Sequence, residues 1–333
     1  MTGTKSIQLQ PDRAQWEVSQ QKLGASFLQS SAWGDFQEKL GHQTYYLLGD
    51  GWSCLLIVRK AAIGKYLFAP YGPTLASSAK LTVAIDAIKT FAKDKKADWL
   101  RIEPICGDED LRKVIIHAGG RPAPKNVEPS LTRIVDLSVD EETLLSSLSQ
   151  TTRNIIRRSR RERSLSFRTS LEPADMKIFS RMLDTVASRK HVGFYDHSYY
   201  LNQAQVLMPI SMMRLELAYD GTRPVGAAVI HEYGHMATYT YASSLPQARD
   251  KNVSALLLWQ SMLNAKAGGM DSIDLFGIAP DDAPSSHPWA GFSSFKKKFG
   301  GRVTARNGTW DIPLTGRYRI YRAGLKARRV VSR

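Results

Sequence analysis

Three short runs of β-branched, aromatic and aliphatic residues come early, at 43–48, 53–58 and 65–68. Turn signals at Asp50-Gly51 and Gly64 separate them, and together they predict a strand meander. A turn cluster, PYGP at 70–73, follows. Leu81, Ala84, Ile85, Ile88, Phe91 and Ala92 then recur at helical spacing with lysines opposite, which predicts an amphipathic helix. Residues 99–103 read as a buried strand stopped at Pro104. Asp108 can cap a helix that reaches His117 and ends at Gly119-Gly120, and 132–137 reads as another strand.

A second unit begins near Ser138. Ser138 or Asp140 can cap a helix reaching toward Arg163, and helices around 173–190 and 198–207 follow. Strands at 212–219, 225–230 and 237–242 are joined by turns at Asp220-Gly221 and Tyr233-Gly234. A helix opened by Asn252 or Ser254 carries Leu256, Leu257, Leu258, Trp259, Met262 and Leu263, and 272–276 is a buried strand. The tail holds a short helix around 293–299, a strand pair across 302–312 and a helix from Thr315 to about Lys326. The layout is mixed α/β, and both halves share an order: strand meander, helix, buried strand, helix. This suggests a structural duplication without a sequence repeat.

The chain has 333 residues, 43% hydrophobic and 23% charged, enough for two domains with apolar cores of their own. Cys54 and Cys106 are its two cysteines. Cys54 lies in an apolar run and reads as a core thiol, so no disulfide framework is expected and a reducing compartment fits. The N-terminus lacks the apolar segment of a signal peptide, and no run is long enough to span a bilayer, so a cytoplasmic protein is expected. The net charge of +15 points to polyanionic partners: nucleic acid, an anionic membrane face or phosphorylated substrates.

That charge is clustered. On a helix, Arg153, Arg157 and Arg160 or Arg161 stack on one side at spacings of three to four. An RNA or phosphate backbone, or an anionic membrane at about 1 kcal/mol per nearby cation, would compensate them; a solvated face is the plain alternative. His231, Glu232 and His235 match H-E-x-x-H, but Gly234 and the flanking strand patterns place the match in a hairpin, so no metal is expected. Tyr239 and Tyr241 share one face of a regular strand, either as half-buried aromatics or as a substrate-lining pair. Residues 249–254 open a helix after a strand, where GNAT-type acetyltransferases hold a pyrophosphate, but Asn252 stands in place of the glycine. Lys296, Lys297 and Lys298 lie between Phe295 and Phe299, either solvated or with one lysine fixed at a reaction centre.

In their order these segments resemble the Fem-type aminoacyltransferases (FemA, FemB, FemX), which build peptidoglycan cross-bridges. The pieces are FLQSSAW at 27–33, APYGP at 69–73, LRIEP at 100–104, TRNIIR at 152–157, YTYAS at 239–243, FGI at 276–278 and FKKKFG at 295–300. The resemblance spans roughly residues 25 to 312. It implies an α/β (α+β) fold of two tandem GNAT-like domains, 1–138 plus 308–333 and 139–307, the C-terminal segment returning to complete the first. No heptad-patterned insertion is present, so the coiled-coil arm of some members is not expected. Gln37 stands where some members carry a lysine, and Asp196 where some carry an arginine four residues before the counterpart of Tyr200.

The resemblance further implies transfer of an amino acid from aminoacyl-tRNA to a stem-peptide amine of a lipid-linked precursor or UDP-MurNAc-pentapeptide. No metal or redox cofactor is implied, and peripheral contact with the inner membrane face would suit the lipid-linked form. Lys296 would meet the oxyanion, a donor whose loss typically costs about 2.7–4 kcal/mol. Glu103 would bind the incoming ammonium or take its proton. Tyr239, Tyr241, Tyr200, Arg189 and Gln37 would contact substrate. Arg153, Arg157, Arg160, Arg161 and Lys297 would hold tRNA or precursor phosphates. The competing readings are a GNAT-type enzyme with an acyl-coenzyme A donor and a non-catalytic RNA- or membrane-binding protein.

Overall fold

A computed structural model describes residues 7–105, 109–162, 164–190 and 195–331, excepting the side chains of 109–110, 186–190 and 326–331. Cys106, the cap at Asp108 and Arg163 lie outside that set. The chain divides into two compact units, residues 1–130 with 305–333 and residues 131–304.

The first unit is built on a mixed sheet. Thr44–Gly49, Trp52–Lys60 and Lys65–Ala69 form the antiparallel meander. Trp99–Ile102 then pairs parallel to Lys65–Ala69, a crossover carried by the amphipathic helix Leu81–Asp94. The apolar face of that helix packs with Leu47, Cys54, Leu56 and Leu100 into one core cluster. Trp310–Pro313, from the far end of the chain, inserts between Trp99–Ile102 and Arg121–Pro122, antiparallel to both. Arg101 and Asp311 face each other across this pairing in a buried two-point ion pair, 2.7 and 2.9 Å, and the Tyr318 hydroxyl adds a donor to Asp311 at 3.1 Å. Trp99 is stacked between Tyr66 and Tyr321, 4.7 Å from each ring. The polar pair and the aromatic stack together dock the C-terminal helix Arg317–Val331 on this unit.

The second unit holds a seven-stranded sheet in the order Arg302–Ala305, Leu131–Asp136, Ser272–Gly277, Met236–Ser244, Arg223–Tyr233, Met213–Asp220, Ser166–Ser170. Its core lies under the helix Val253–Ala267 and includes Ile230, Tyr239, Leu257, Met262, Leu275 and Phe299. Leu131–Asp136 pairs with Ser272–Gly277, so the division falls before residue 131 rather than at 138. The expected strand pair across 302–312 does not form: Arg302–Ala305 and Trp310–Pro313 lie in different sheets, because each takes its ladder from a partner distant in sequence. The long helix expected from residue 138 is two, Glu141–Ser146 and Gln150–Glu162. Asp140 caps the first through Thr143 N, and Ser149 shares a hydroxyl contact with Thr152 at the start of the second. Among the described residues no helix is long and apolar enough to cross a membrane.

Candidate active site

Lys296 sits on the short helix Ala290–Lys297 of the second unit. Phe299 is fully buried in the core and Phe295 packs against it, with ring centroids 5.3 Å apart; this pair fixes the helix's rotation. Gly300 and Gly301 both take positive φ, at 71°. A Cβ at Gly301 would stand 2.4 Å from the Ile134 carbonyl oxygen, so only glycine lets the chain pass so close to that strand. Arg133 closes the same turn, donating to the Gly300 and Gly301 carbonyls at 2.9 and 2.8 Å.

The three lysines therefore differ. The Lys296 ammonium is partly buried and donates to the Gly277 carbonyl at 2.8 Å. Desolvation pushes its pKa down to about 8, while the nearby Asp274 carboxylate pulls it back up. The Lys297 side chain is 70% exposed, and its nearest acidic partner, Asp281, is 4.0 Å away. Lys298 is also exposed, and its carbonyl accepts from Ser149 N at 2.8 Å, tying the lysine helix to the start of the basic one.

On the basic helix the arginines have separate duties. Arg153 turns back and donates to the carbonyls of Ser146 and Leu148, satisfying the end of the preceding helix. Arg158 pairs with Glu162 and Arg160 with Glu141. Arg157 and Arg161 are exposed, one turn apart, and among the described residues neither has an ion-pair partner. The expected phosphate-binding row thus reduces to this pair, because local carbonyls and carboxylates claim Arg153 and Arg160.

The two strand tyrosines do not point together. Ile230 pairs with Tyr239 and Val229 with Tyr241, so Thr240 is an extra residue in a β-bulge. A bulge resets the alternation, sending Tyr239 into the core under Val253–Ala267 and Tyr241 to the opposite face, edge-on to Tyr200 at 5.3 Å. Tyr200 is itself only 1% exposed and packs edge-on against Phe179, and burial raises its pKa to about 12. Tyr200 and Tyr239 are therefore both buried in side-chain packing. The side chain of Arg189 lies outside the described residues.

The bulge also settles the H-E-x-x-H match. The Thr240 hydroxyl donates to the Val229 carbonyl at 3.1 Å, so it accepts from His231 Nδ1 at 3.0 Å. His231 is buried in the strand and burial lowers its pKa to about 3, whereas His235 is exposed in the turn. The two imidazoles do not converge on a metal.

In the first unit Glu103 is 3% exposed at the end of its strand. Its carboxylate accepts from the Thr309 hydroxyl and from the backbone N–H groups of Val127, Glu128 and Tyr71, at 3.2, 3.0 and 3.5 Å. Burial raises its pKa, and these donors oppose the rise. Three of these bonds fall on Oε1, and Oε2 takes only the longest, so the fold itself holds most of this carboxylate. Glu128 beside it is half-buried, and burial together with the Glu103 charge pushes it up to about 8 against the pull of Arg306 and Arg59. Glu128 carries one local signal in the sequence, a carboxylate before Pro129. Gln37 is 1% exposed and accepts from Arg59 at 2.8 Å inside the unit.

Comparison with known proteins places this geometry. Residues 211–326 match the model of the FemAB family. No curated protein sequence matches the chain. Among solved structures, a crystal structure of FemX superposes with a TM-score of 0.84 at 15% identity, covering 96% of this chain and 99% of that one. L-PGS from Bacillus licheniformis gives 0.58 at 15% identity, covering 97% and 98%. A tandem GNAT protein from the clavulanic acid biosynthesis pathway gives 0.54 at 9% identity, covering 92% and 98%. Both units therefore carry GNAT-like folds in the FemX arrangement of strands and helices. The FemAB match lies across the segment that holds Tyr241, Asp274 and Lys296, and the fold is similar to that of FemX.

Proposed function

We propose that the protein transfers an aminoacyl group from aminoacyl-tRNA to an amine on the stem peptide of a peptidoglycan precursor. The observation that carries this reading is Lys296: a partly desolvated ammonium, fixed by one carbonyl, on a helix whose rotation is set by the buried Phe299 and by Phe295 packed against it. Attack by the neutral amine forms the C–N bond and places the ester carbonyl's electron pair on oxygen. Collapse of that intermediate breaks the C–O bond to the ribose, whose oxygen takes a proton as the amine loses one. A fixed cation beside the oxyanion lowers that barrier, since it needs no reorganisation as the charge appears. The exposed Arg157 and Arg161 offer phosphate contacts to the tRNA. The tRNA donor, the stem-peptide acceptor and the residue roles belong to this proposal.

The test is an assay of purified protein with radiolabelled aminoacyl-tRNA pools and, in parallel, lipid-linked precursor and UDP-MurNAc-pentapeptide. Labelled precursor that disappears on RNase treatment supports the reading, and the active arm identifies the acceptor. Failure of both arms, with calorimetric binding of coenzyme A, would replace it with an acyl-coenzyme A donor. Salt-dependent RNA binding without any transfer would reduce the protein to a binding module.

A further inference from the structure

Lys296 is held by a carbonyl, and that carbonyl belongs to an irregular piece of strand. In the pairing of Ser272–Gly277 with Leu131–Asp136, Asp274 lies opposite Ile134 and Gly277 opposite Thr132. Leu275 and Phe276 therefore occupy the space of one partner residue, a bulge that sends Leu275 into the core. Phe276 takes φ of +62°, a left-handed conformation that a bulky side chain adopts only when its surroundings impose it. What imposes it is Asp274. Its carboxylate, 2% exposed, accepts from Phe276 N at 2.7 Å and from the buried Thr132 hydroxyl. The next carbonyl along, that of Gly277, receives the Lys296 ammonium at 2.8 Å. Two residues further on, Ala279 N donates to Ser293 Oγ on the lysine helix at 2.7 Å, so the same segment grips that helix twice.

We propose that Asp274 is the positioning residue for Lys296: its carboxylate folds the bulge that presents the Gly277 carbonyl to the ammonium, and its charge is the counter-ion behind that ammonium. The proposal rests on the transferase reading for its consequence, but not for its structural content. The other charged groups around Lys296 do not supply a counter-charge. Arg133, on the neighbouring strand, spends its guanidinium on the Gly300 and Gly301 carbonyls, and Lys297 and Lys298 on the same segment are exposed cations. Desolvation alone would drive the ammonium toward its neutral form; Asp274 opposes this.

The experiment compares Asp274→Asn with the wild type. Asparagine keeps an oxygen that can accept from Phe276 N and removes the charge. The first readout needs no substrate: the pH dependence of competitive acylation of Lys296, read by mass spectrometry on the folded protein. The expected result is a midpoint at least about half a unit lower in Asp274→Asn; an unchanged midpoint overturns the counter-ion role. The second readout is transfer. The variant should lose about twofold or more in kcat at pH 8 and less at pH 6, with KM for aminoacyl-tRNA within about twofold. A loss equal at both pH values would leave Asp274 with a purely structural role and refute the proposal. If Asp274→Asn does not fold, Asp274→Glu keeps the charge and displaces it; wild-type kcat in that variant overturns the positioning role. A shifted midpoint with no transfer in either protein keeps the Asp274–Lys296 coupling and discards the transferase reading, so the two failures are distinguishable.

Discussion

Replacing Lys296 with methionine keeps the length and most of the apolar volume of the side chain and removes the ammonium. Two opposite effects follow, and both have magnitudes. A lysine titrating at about 8 is about nine-tenths charged at pH 7, so wild-type protein presents a cation there. Deleting one fixed donor to a developing oxyanion typically costs about 2.7–4 kcal/mol, or about 10²–10³-fold in kcat. Stability should move the other way. The folded-state pKa lies below the ordinary 10.5, so the unfolded chain binds the proton more tightly between about 8 and 10.5. Below pH 8 the full cost of holding a desolvated charge is present, and it fades as pH rises through that window. With allowance for the side chain's partial exposure and its bond to Gly277, the methionine variant should be more stable at pH 7 by roughly 1–3 kcal/mol. Near pH 10.5 the difference should shrink. The assays are single-turnover transfer from labelled aminoacyl-tRNA and thermal melting at pH 7 and 10. A transfer loss under about threefold would remove Lys296 from the chemistry. A variant that melts well below wild type at pH 7 would show that the Gly277 bond outweighs the desolvation cost, and the stability argument would fail.

Three further outcomes are expected. Arg157→Gln and Arg161→Gln should weaken tRNA binding at low salt and reduce the slope of log K against log salt by about 0.7–0.9 per arginine, with melting unchanged; Arg153→Gln should lower stability and leave the slope alone. A slope unchanged in the double variant would discard that face as a phosphate contact. Glu128→Gln should stabilise the protein near pH 8–9 more than at pH 5: the folded pKa is raised, so wild-type stability contributed by this group is present below about 4.5 and is lost as pH rises through about 8. Equal melting shifts at the two pH values would contradict the raised ionisation. Arg101→Met leaves Asp311 buried without its partner and should cost about 3–5 kcal/mol, with the C-terminal helix becoming protease-sensitive first. Resistance of that helix in the variant would mean that the aromatic stack around Trp99 suffices to dock it.

Much of the local structure was legible because it depends on neighbours in sequence. The helix Leu81–Asp94 announces itself by its apolar stripe, the hairpin turns by their glycines, and Gly234 with the flanking strand patterns places the H-E-x-x-H match in a hairpin, as the structure does. The lysine helix was legible too, since Phe295 and Phe299 at i and i+4 must pack, but which lysine is held was not a pattern property. Its selection depends on the Gly277 carbonyl, nineteen residues away in sequence.

What tertiary structure alone decided follows from the same distinction. Period-two alternation put Tyr239 and Tyr241 on one face, and a single unpaired Thr240 put them on two, since a bulge is specified by the register of the partner strand. Glu103 looked available because a strand-end carboxylate before a proline carries no sign that three backbone N–H groups converge on it. Arg153 looked like part of a phosphate row because helical spacing cannot show carbonyls left open by the helix before it. Composition, periodicity and turn chemistry therefore determined the elements and the basic character of this protein. Which polar groups remain available for chemistry was settled by burial and long-range pairing, because a donor or acceptor is spent on whatever the fold brings within 3 Å of it.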